Sequence, residues 1–144
     1  MKLYLGADHA GFALKEALRT ALVAQGHDVT DCGAFSADAV DYPDVAHNVA
    51  GNLATDAQAL GLLICGSGNG VCITANKHPG VRAGLAWNAE VAALLRQHNN
   101  ANCLCLPARF VTQDEALACL EAFLKANFEG GRHARRVDKI EPHC

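Results

Sequence analysis

The stretch Leu60-Gly61-Leu62-Leu63-Ile64-Cys65-Gly66-Ser67-Gly68-Asn69-Gly70 decides the fold. Its first six residues are apolar or small, a run typical of a strand buried on both faces of a sheet. The next five include three glycines, which mark a tight turn. A helix-length segment follows and ends near residue 77. The stretch therefore predicts a buried strand, a glycine loop and a helix.

Apolar runs and helix-length segments alternate in the same way on both sides of this stretch. Strands are predicted at 3–7, 29–32, 60–65, 81–87 and 103–106, and further helices at 10–25, 42–57, 89–97 and 114–126. Such alternation is typical of a parallel sheet covered on both faces. We predict an α/β fold in which residues 1–144 form a single-domain three-layer sandwich, with a Rossmann-like five-stranded parallel sheet and helices on both faces.

The same pattern indicates where a ligand would bind. In open α/β sheets, ligands lie outside the carboxyl ends of the strands. The segments that follow those ends are Asp8-His9, the glycine loop (66–70), Trp87-Asn88 and residues 107–109.

Composition excludes several classes of protein. Hydrophobic residues make up 51% and charged residues 19% of the 144 residues, which is typical of globular chains. The net charge of −3 argues against general nucleic-acid binding. The apolar runs fall short of the roughly 20 residues that span a membrane. The opening residues lack the apolar core of a signal peptide, so we expect a cytoplasmic protein.

The chain has seven cysteines, an odd number, and none forms a C-x-x-C pair. They are Cys32, Cys65, Cys72, Cys103, Cys105, Cys119 and Cys144. In a cytoplasmic chain we expect most to be reduced and buried. A zinc site needs four clustered ligands, which Cys103-x-Cys105 alone does not supply, so no metal is expected.

The glycine loop admits more than one interpretation. It can be a simple strand-to-helix turn, or its backbone N–H groups can point at an anion. A dinucleotide fingerprint would need a third glycine at position 71, where Val71 stands. The glycine-lysine-serine/threonine sequence of a P-loop is also missing. ATP and NAD are therefore not expected ligands.

Cys65 precedes this loop at the predicted carboxyl end of its strand. Near a helix N-terminus a thiolate is stabilised relative to the ordinary cysteine pKa of about 8.5, and such a thiolate can act as a base. A buried, unreactive cysteine is the alternative. Cys72, within the following helix, is interpreted as a packing residue.

Other polar residues come at predicted strand or helix ends. Asp8 and His9 could bind sugar hydroxyls, an anion or a metal, although Asp8 could instead cap a helix. His98 can deliver a proton near neutrality, or belong to a polar helix stop. Arg132 and Arg136 share a face if their segment is helical, which suits a phosphate, and a solvated basic face is the alternative.

Taken together, these motifs resemble the ribose-5-phosphate isomerase B family, within the group that includes allose- and galactose-6-phosphate isomerases. The resemblance covers nearly the whole chain and rests on five motifs in order. They are Gly6-Ala7-Asp8-His9-Ala10-Gly11-Phe12, Asp41-Tyr42-Pro43-Asp44, Cys65-Gly66-Ser67-Gly68-Asn69-Gly70 with Ala75-Asn76-Lys77, Arg96-Gln97-His98-Asn99, and Glu129-Gly130-Gly131-Arg132-His133.

The resemblance implies an isomerase of ribose 5-phosphate and ribulose 5-phosphate, an intramolecular oxidoreductase of pentose phosphate metabolism that requires no cofactor. Cys65 would move a proton from C2 to C1 through an enediolate, Ser67 would help move protons between the oxygens, and His98 would open the sugar ring. Substrate would be bound by Asp8, His9, Tyr42, Gly66, Ser67, Gly68, Asn69, Gly70, Asn99, Arg109, Arg132 and Arg136. The basic segment 129–144 would complete the phosphate site.

The resemblance also implies a homodimer or tetramer with sites at the subunit interface, where His98, Asn99 and Arg109 reach the neighbour's pocket. One branch of the family uses a glutamate as base at the position of Val71, so this chain falls on the cysteine side. Its glycine loop and Ala86-Trp87 look more like the glutamate branch. A six-carbon substrate, allose or galactose 6-phosphate, therefore stays as an alternative. A non-catalytic sugar-phosphate-binding module is a second alternative, because a fold alone does not fix function.

Overall fold

Five parallel strands form the centre of the structure, a computed structural model that describes residues 1–142. They are β1 (Lys2–Ala7), β2 (Asp28–Asp31), β3 (Leu60–Cys65), β4 (Ala83–Leu85) and β5 (Cys103–Pro107). Their order across the sheet is β2-β1-β3-β5-β4, and every neighbouring pair is parallel. The predicted five-stranded parallel sheet is confirmed.

Helices connect the strands and cover the sheet. They are α1 (Phe12–Ala24), α2 (Tyr42–Thr55), α3 (Asn69–Ala75), α4 (Ala89–Asn99), α5 (Gln113–Lys125) and α6 (Arg132–Val137). A capping box begins α5, because the Thr112 side chain accepts from the Glu115 N–H and the Glu115 side chain accepts from the Thr112 N–H. The basic segment after residue 131 is helical, so Arg132 and Arg136 lie one turn apart.

Alternate side chains of each central strand enter different halves of the core. Leu62 and Ile64 of β3 pack with apolar residues of α1, α4 and α5 on one face of the sheet. Leu63 and Cys65 pack with residues of α2 and α3 on the other face. All six residues of β3 are buried, as expected for a central strand between two helical layers. The predicted three-layer sandwich is therefore confirmed.

Strand β4 is shorter than the predicted segment 81–87. It lies at the edge of the sheet and pairs only with β5. On its other side, the Asn76 side chain accepts from the Ala83 N–H at 2.9 Å and donates to the Ala83 carbonyl at 2.8 Å. A side chain thus replaces a neighbouring strand there, which is one way in which proteins protect a sheet edge.

Six cysteines within residues 1–142 carry free thiols, of which Cys65, Cys103, Cys105 and Cys119 are buried. This agrees with the expectation of reduced, packed cysteines. Cys144 lies outside the described residues. None of the helices within residues 1–142 combines the length and apolar character needed to cross a membrane.

Candidate active site

A cleft of about 350 Å³ opens at the carboxyl edge of the sheet, where β1, β3 and β5 end side by side. Its lining residues are Asp8, Ala10, Tyr42, Cys65, Gly66, Ser67, Gly70, Arg109 and Phe110. Seven of these nine are predicted site residues. Ala10 and Phe110 were not predicted, although each lies next to a segment that follows a strand end. The cleft lies where the topology of parallel sheets places ligands.

Cys65 is the last residue of β3 and contributes to both the core and the cleft. Cys65 is 4% exposed, and it packs in the same apolar cluster as Val71 and Cys105. Its carbonyl accepts from the Ala108 N–H at 2.9 Å, which fixes the end of β3 beside the loop after β5. The thiol is therefore held in a rigid wall of the cleft.

Val71 and Cys72 do not line the cleft. Val71 is fully buried. It stands where one branch of the family that this chain resembles has a glutamate base. A hydrogen bond with Cys105 lowers the pKa of the Cys72 thiol, but that thiol donates to the carbonyl of Ala83, the first residue of β4. Among Cys65, Val71 and Cys72, only Cys65 lines the cleft, and its thiol can exchange a proton.

The glycine loop turns sharply into α3. Gly68 has a φ of +75° at the residue before the helix, a conformation that favours glycine. The Asn69 N–H donates to the Ser67 hydroxyl oxygen at 3.3 Å. The N–H groups of Gly66, Ser67 and Gly68 have no acceptor within residues 1–142. Of these, the N–H groups of Gly66 and Ser67 belong to residues that line the cleft and are available to an anionic oxygen there.

Asp8 follows β1 and is 8% exposed. Its Oδ1 atom accepts from the N–H of Gly11, the residue directly before α1, at 3.1 Å. One carboxylate oxygen of Asp8 therefore has the helix-capping role that the sequence left open. Its Oδ2 atom has no hydrogen-bond partner within residues 1–142 and is available to a ligand. His9 is exposed beside it but does not line the cleft.

Arg109 lies in the cleft of its own chain. Its N–H donates to the Gly66 carbonyl at 3.0 Å, and its guanidinium carbon lies 3.2 Å from the position that a β-carbon on Gly66 would occupy. In this structure Arg109 therefore borders the cleft of its own chain, whereas the resemblance implies that it reaches the neighbour's pocket. A side chain on Gly66 would displace the guanidinium.

The remaining predicted site residues divide into two groups. Gly68 and Asn69 belong to the glycine loop but do not line the cleft. His98, Asn99, Arg132 and Arg136 lie on α4 and α6, which pack against each other. With Glu129 and His133 we call this second group the α4–α6 patch.

Chain topology separates the α4–α6 patch from the cleft. Helix α4 connects β4 to β5 in a parallel sheet, so it begins at the carboxyl edge and ends at the amino edge. Its 11 residues span about 16 Å. His98 and Asn99 are at its last turn and hence at the opposite edge of the sheet from Cys65. One chain does not bring all the predicted site residues together.

Two imidazoles and a carboxylate meet in the α4–α6 patch. The rings of His98 and His133 stack with centroids 4.1 Å apart and planes 9° apart. Glu129 Oε2 lies 3.7 Å from His98 Nε2 and 3.6 Å from His133 Nε2. Burial, then His98 and Arg132, lower the pKa of His133, while Glu129 opposes that shift.

The same three side chains bring ligand atoms within 4.8 Å of one another, close enough to consider a metal. A metal ion must lie near the plane of each imidazole that binds it. Nearly parallel stacked rings direct their Nε2 lone pairs side by side rather than at one point. The rings would have to rotate out of the stack before both could bind one ion.

Comparison with known proteins gives consistent matches over nearly the whole chain. The family model described as Ribose/Galactose Isomerase matches residues 3–140. The probable ribose-5-phosphate isomerase B of Mycoplasma genitalium is 49% identical, over 96% of this chain and 92% of the relative. The enzyme of the same name from Mycobacterium tuberculosis is 45% identical, over 96% and 86% of the two chains. A crystal structure of the M. genitalium protein with bound ribulose-5-phosphate has a TM-score of 0.94 and 48% identity, over 96% and 93% of the two chains.

Proposed function

The chain belongs to the ribose/galactose isomerase family, and we propose that it interconverts ribose 5-phosphate and ribulose 5-phosphate through an enediolate. The observation that carries the proposal is the likeness to the M. genitalium protein, which was crystallised with ribulose-5-phosphate, over nearly the full length of both chains. The cleft beside Cys65 provides a place for the same chemistry. The reaction is internal to the sugar, since one hydrogen moves from C2 to C1 and no external oxidant is consumed.

Cys65 acts as the base in this proposal. Its thiolate takes the proton from C2, the C1 carbonyl becomes an enediolate oxygen, and the proton returns to C1. Two features support the assignment: Cys65 borders the cleft, and Val71 and Cys72 do not. A base fixed at the end of a buried strand needs little reorganisation to reach both carbons.

The glycine loop stabilises the enediolate oxygens. The N–H groups of Gly66, Ser67 and Gly68, which have no acceptor within residues 1–142, would donate to the developing negative charge. The Ser67 hydroxyl lines the cleft and would carry a proton between O1 and O2. Tyr42 and the free oxygen of Asp8 would bind the sugar hydroxyls.

Each complete site would take residues from two copies of the chain. One copy supplies the cleft, including Arg109, and the other supplies the α4–α6 patch. Arg132 and Arg136 would bind the phosphate together with His9 and Arg109, and Asn99 would bind the sugar beside His98, the ring-opening acid. The support is topological, because His98 lies at the opposite edge of the sheet from Cys65 in its own chain. This requires a dimer or a tetramer.

We propose that the protein acts in the cytoplasm. Six free thiols within residues 1–142 agree with a reducing compartment.

The test is an isomerase assay with ribose 5-phosphate in D₂O with EDTA present. We expect ribulose 5-phosphate that carries deuterium at C1, at a rate unaffected by EDTA. Binding of ribose 5-phosphate without turnover or C2–H exchange would instead indicate a non-catalytic binding module. A higher kcat/KM for allose or galactose 6-phosphate would assign the six-carbon alternative, a difference that pocket shape decides.

A further inference from the structure

The α4–α6 patch contains two imidazoles that share a single carboxylate. Glu129 Oε2 is almost equidistant from the Nε2 atoms of His98 and His133, at 3.7 and 3.6 Å. The two rings are in stacking contact, with centroids 4.1 Å apart. Two imidazolium charges at that separation repel each other, so one proton on the pair is favoured over two.

We infer that Glu129 is a positioning residue that holds this shared proton on His98, where it serves ring opening, with His133 as the neutral partner of the stack. The inference rests on the proposed function and adds two residues to it, since neither Glu129 nor His133 has a role in the scheme above.

Surroundings decide which imidazole carries the proton. The His133 side chain is 11% exposed, against 38% for His98, so a charge on His133 loses more hydration. Arg132 and Arg136, on the same helix as His133, oppose a further positive charge on that ring. Both effects disfavour a proton on His133. Glu129 is the only carboxylate within 4 Å of either ring in residues 1–142.

Backbone contacts fix the main chain at Glu129 without help from a ligand. The Glu129 N–H donates to the Gln97 carbonyl at 3.0 Å, which ties the segment before α6 to the last turn of α4. Gly130 and Gly131 then turn the chain with φ of +66° and +55°. The His133 N–H donates to the Gly130 carbonyl at 3.0 Å, which brings its ring back over His98.

Ring opening needs this proton. The bond between C1 and the ring oxygen breaks, and the ring oxygen takes the proton of His98. The hydroxyl on C1 loses its proton to water as the C1 carbonyl forms, and water then returns a proton to His98. Atoms and charge balance without a cofactor. The Glu129 carboxylate, 3.7 Å from His98 Nε2, lies close enough to orient that ring for this step.

Assays with ribose 5-phosphate and with ribulose 5-phosphate distinguish the ring-opening step from the enediolate step. Ribose 5-phosphate forms a five-membered ring and must be opened. Ribulose 5-phosphate cannot close the corresponding ring, because its C5 oxygen carries the phosphate. Exchange of the C1 hydrogen of ribulose 5-phosphate with D₂O therefore needs Cys65 but not the ring-opening acid.

Glu129→Gln is the test, since it keeps the side-chain shape and the backbone contact to Gln97. We expect kcat/KM for ribose 5-phosphate to fall about three- to tenfold at alkaline pH, as for a partly exposed charge pair. The high-pH limb of the profile should move to lower pH, and C1–H exchange of ribulose 5-phosphate should stay at the wild-type rate. Glu90→Gln, near the first turn of the same α4 helix, is the matched control and should change neither.

Two results would overturn the inference. One is a Glu129→Gln profile identical to wild type. The other is an equal loss of isomerisation and of C1–H exchange, which would indicate a general structural role. His98→Asn should lose turnover of ribose 5-phosphate but keep exchange, whereas His133→Asn should keep most of both. The reverse pattern would place the proton on His133. Absence of exchange in the wild-type protein would instead refute the proposed function.

Discussion

The ring of Tyr42 occupies the space beside Gly70 that a side chain would fill: a β-carbon on Gly70 would lie 2.6 Å from Tyr42 Cε2 and 2.7 Å from Cζ. Tyr42 begins α2 and Gly70 lies in the first turn of α3, so this contact joins the two helices at the rim of the cleft. Real β-carbon contacts are longer. Glycine at position 70 permits this close approach of the aromatic ring, and both residues line the cleft.

Gly70→Ala should move Tyr42 out of its place in the cleft. We expect a loss of at most about 1 kcal/mol in the free energy of unfolding, because the exposed ring of Tyr42 can shift and alanine is favoured over glycine in a helix. KM for ribose 5-phosphate should rise more than kcat falls, since Tyr42 is proposed to bind the sugar. Urea unfolding and steady-state kinetics measure the two effects.

The control is the double variant Tyr42→Ala/Gly70→Ala. Removal of the ring removes the clash, so the double variant should be less destabilised than the sum of the two single variants. Additive losses would mean that the methyl group added at position 70 disturbs something other than Tyr42.

Cys65→Ala should abolish transfer of the C2 proton but leave sugar-phosphate binding nearly intact, because the proposed phosphate and hydroxyl contacts lie elsewhere. The measurements are C1–H exchange of ribulose 5-phosphate in D₂O, and its affinity by calorimetry. Cys72→Ala is the matched control, since its thiol is half-buried nearby but does not line the cleft. Wild-type kcat in Cys65→Ala would show that another group is the base.

The sequence predicts most of this fold because its signals are local. Strand β3 has the predicted bounds of Leu60–Cys65, because a short apolar run between polar segments in an α/β chain is typical of a buried strand. The ends of strand β4 are harder to predict. An edge strand ends where its pairing with its neighbour ends, and the only neighbour of β4 in the sheet, β5, comes later in the chain.

The site was predictable only in part. Residues at or just after strand ends, such as Cys65 and Asp8, could be grouped in one cleft from topology alone. The contact of Arg109 with Gly66 depends on a side-chain conformation that no pattern encodes. The place of Glu129 beside two histidines depends on a turn at Gly130 and Gly131 and on packing of α6 against α4. Such contacts between distant segments leave no periodic signal.

Lys15→Met should be one of the most destabilising single changes in the chain. Lys15 is fully buried, and its Nζ atom donates to Asp31 Oδ1 at 2.6 Å and to the Ala34 carbonyl at 2.7 Å. Removal of one partner leaves a half-buried carboxylate without its cation, which costs about 3–5 kcal/mol. Urea unfolding measures the loss.

Two controls test the cause of that loss. Lys2→Met removes an exposed partner of Asp56 and should leave the unfolding midpoint nearly unchanged. Lys15→Met/Asp31→Asn should recover part of the stability, because no unpaired charge remains. Equal losses in the single and double variants would show that the charge of Asp31 is not the cause.

Glu16 should contribute stability that depends on pH. Its carboxylate accepts from Arg19 at 2.8 Å, and that hydrogen bond lowers its pKa below the ordinary 4.5. A carboxyl group with a depressed pKa in the folded state stabilises the protein above its unfolded pKa, and this stability disappears as pH falls through the folded pKa. Glu16→Gln should therefore unfold at lower urea than wild type at pH 7, and the difference should shrink below about pH 4.5. A difference that stays constant down to pH 3 would contradict this origin.

Separation of Cys65 and His98 on opposite edges of the sheet predicts complementation between inactive chains. Cys65→Ala and His98→Asn, each inactive on ribose 5-phosphate as a homodimer, can be co-expressed with different tags and isolated as a heterodimer. One of its two sites combines an intact cleft with an intact α4–α6 patch, so about half of the wild-type rate should return. A heterodimer of wild type with a Cys65→Ala/His98→Asn chain is the reciprocal control. Sites shared between chains leave that heterodimer inactive, because its intact cleft faces the altered patch. Sites contained within one chain would give the opposite result in both heterodimers, with no recovery in the first and half of the rate in the second.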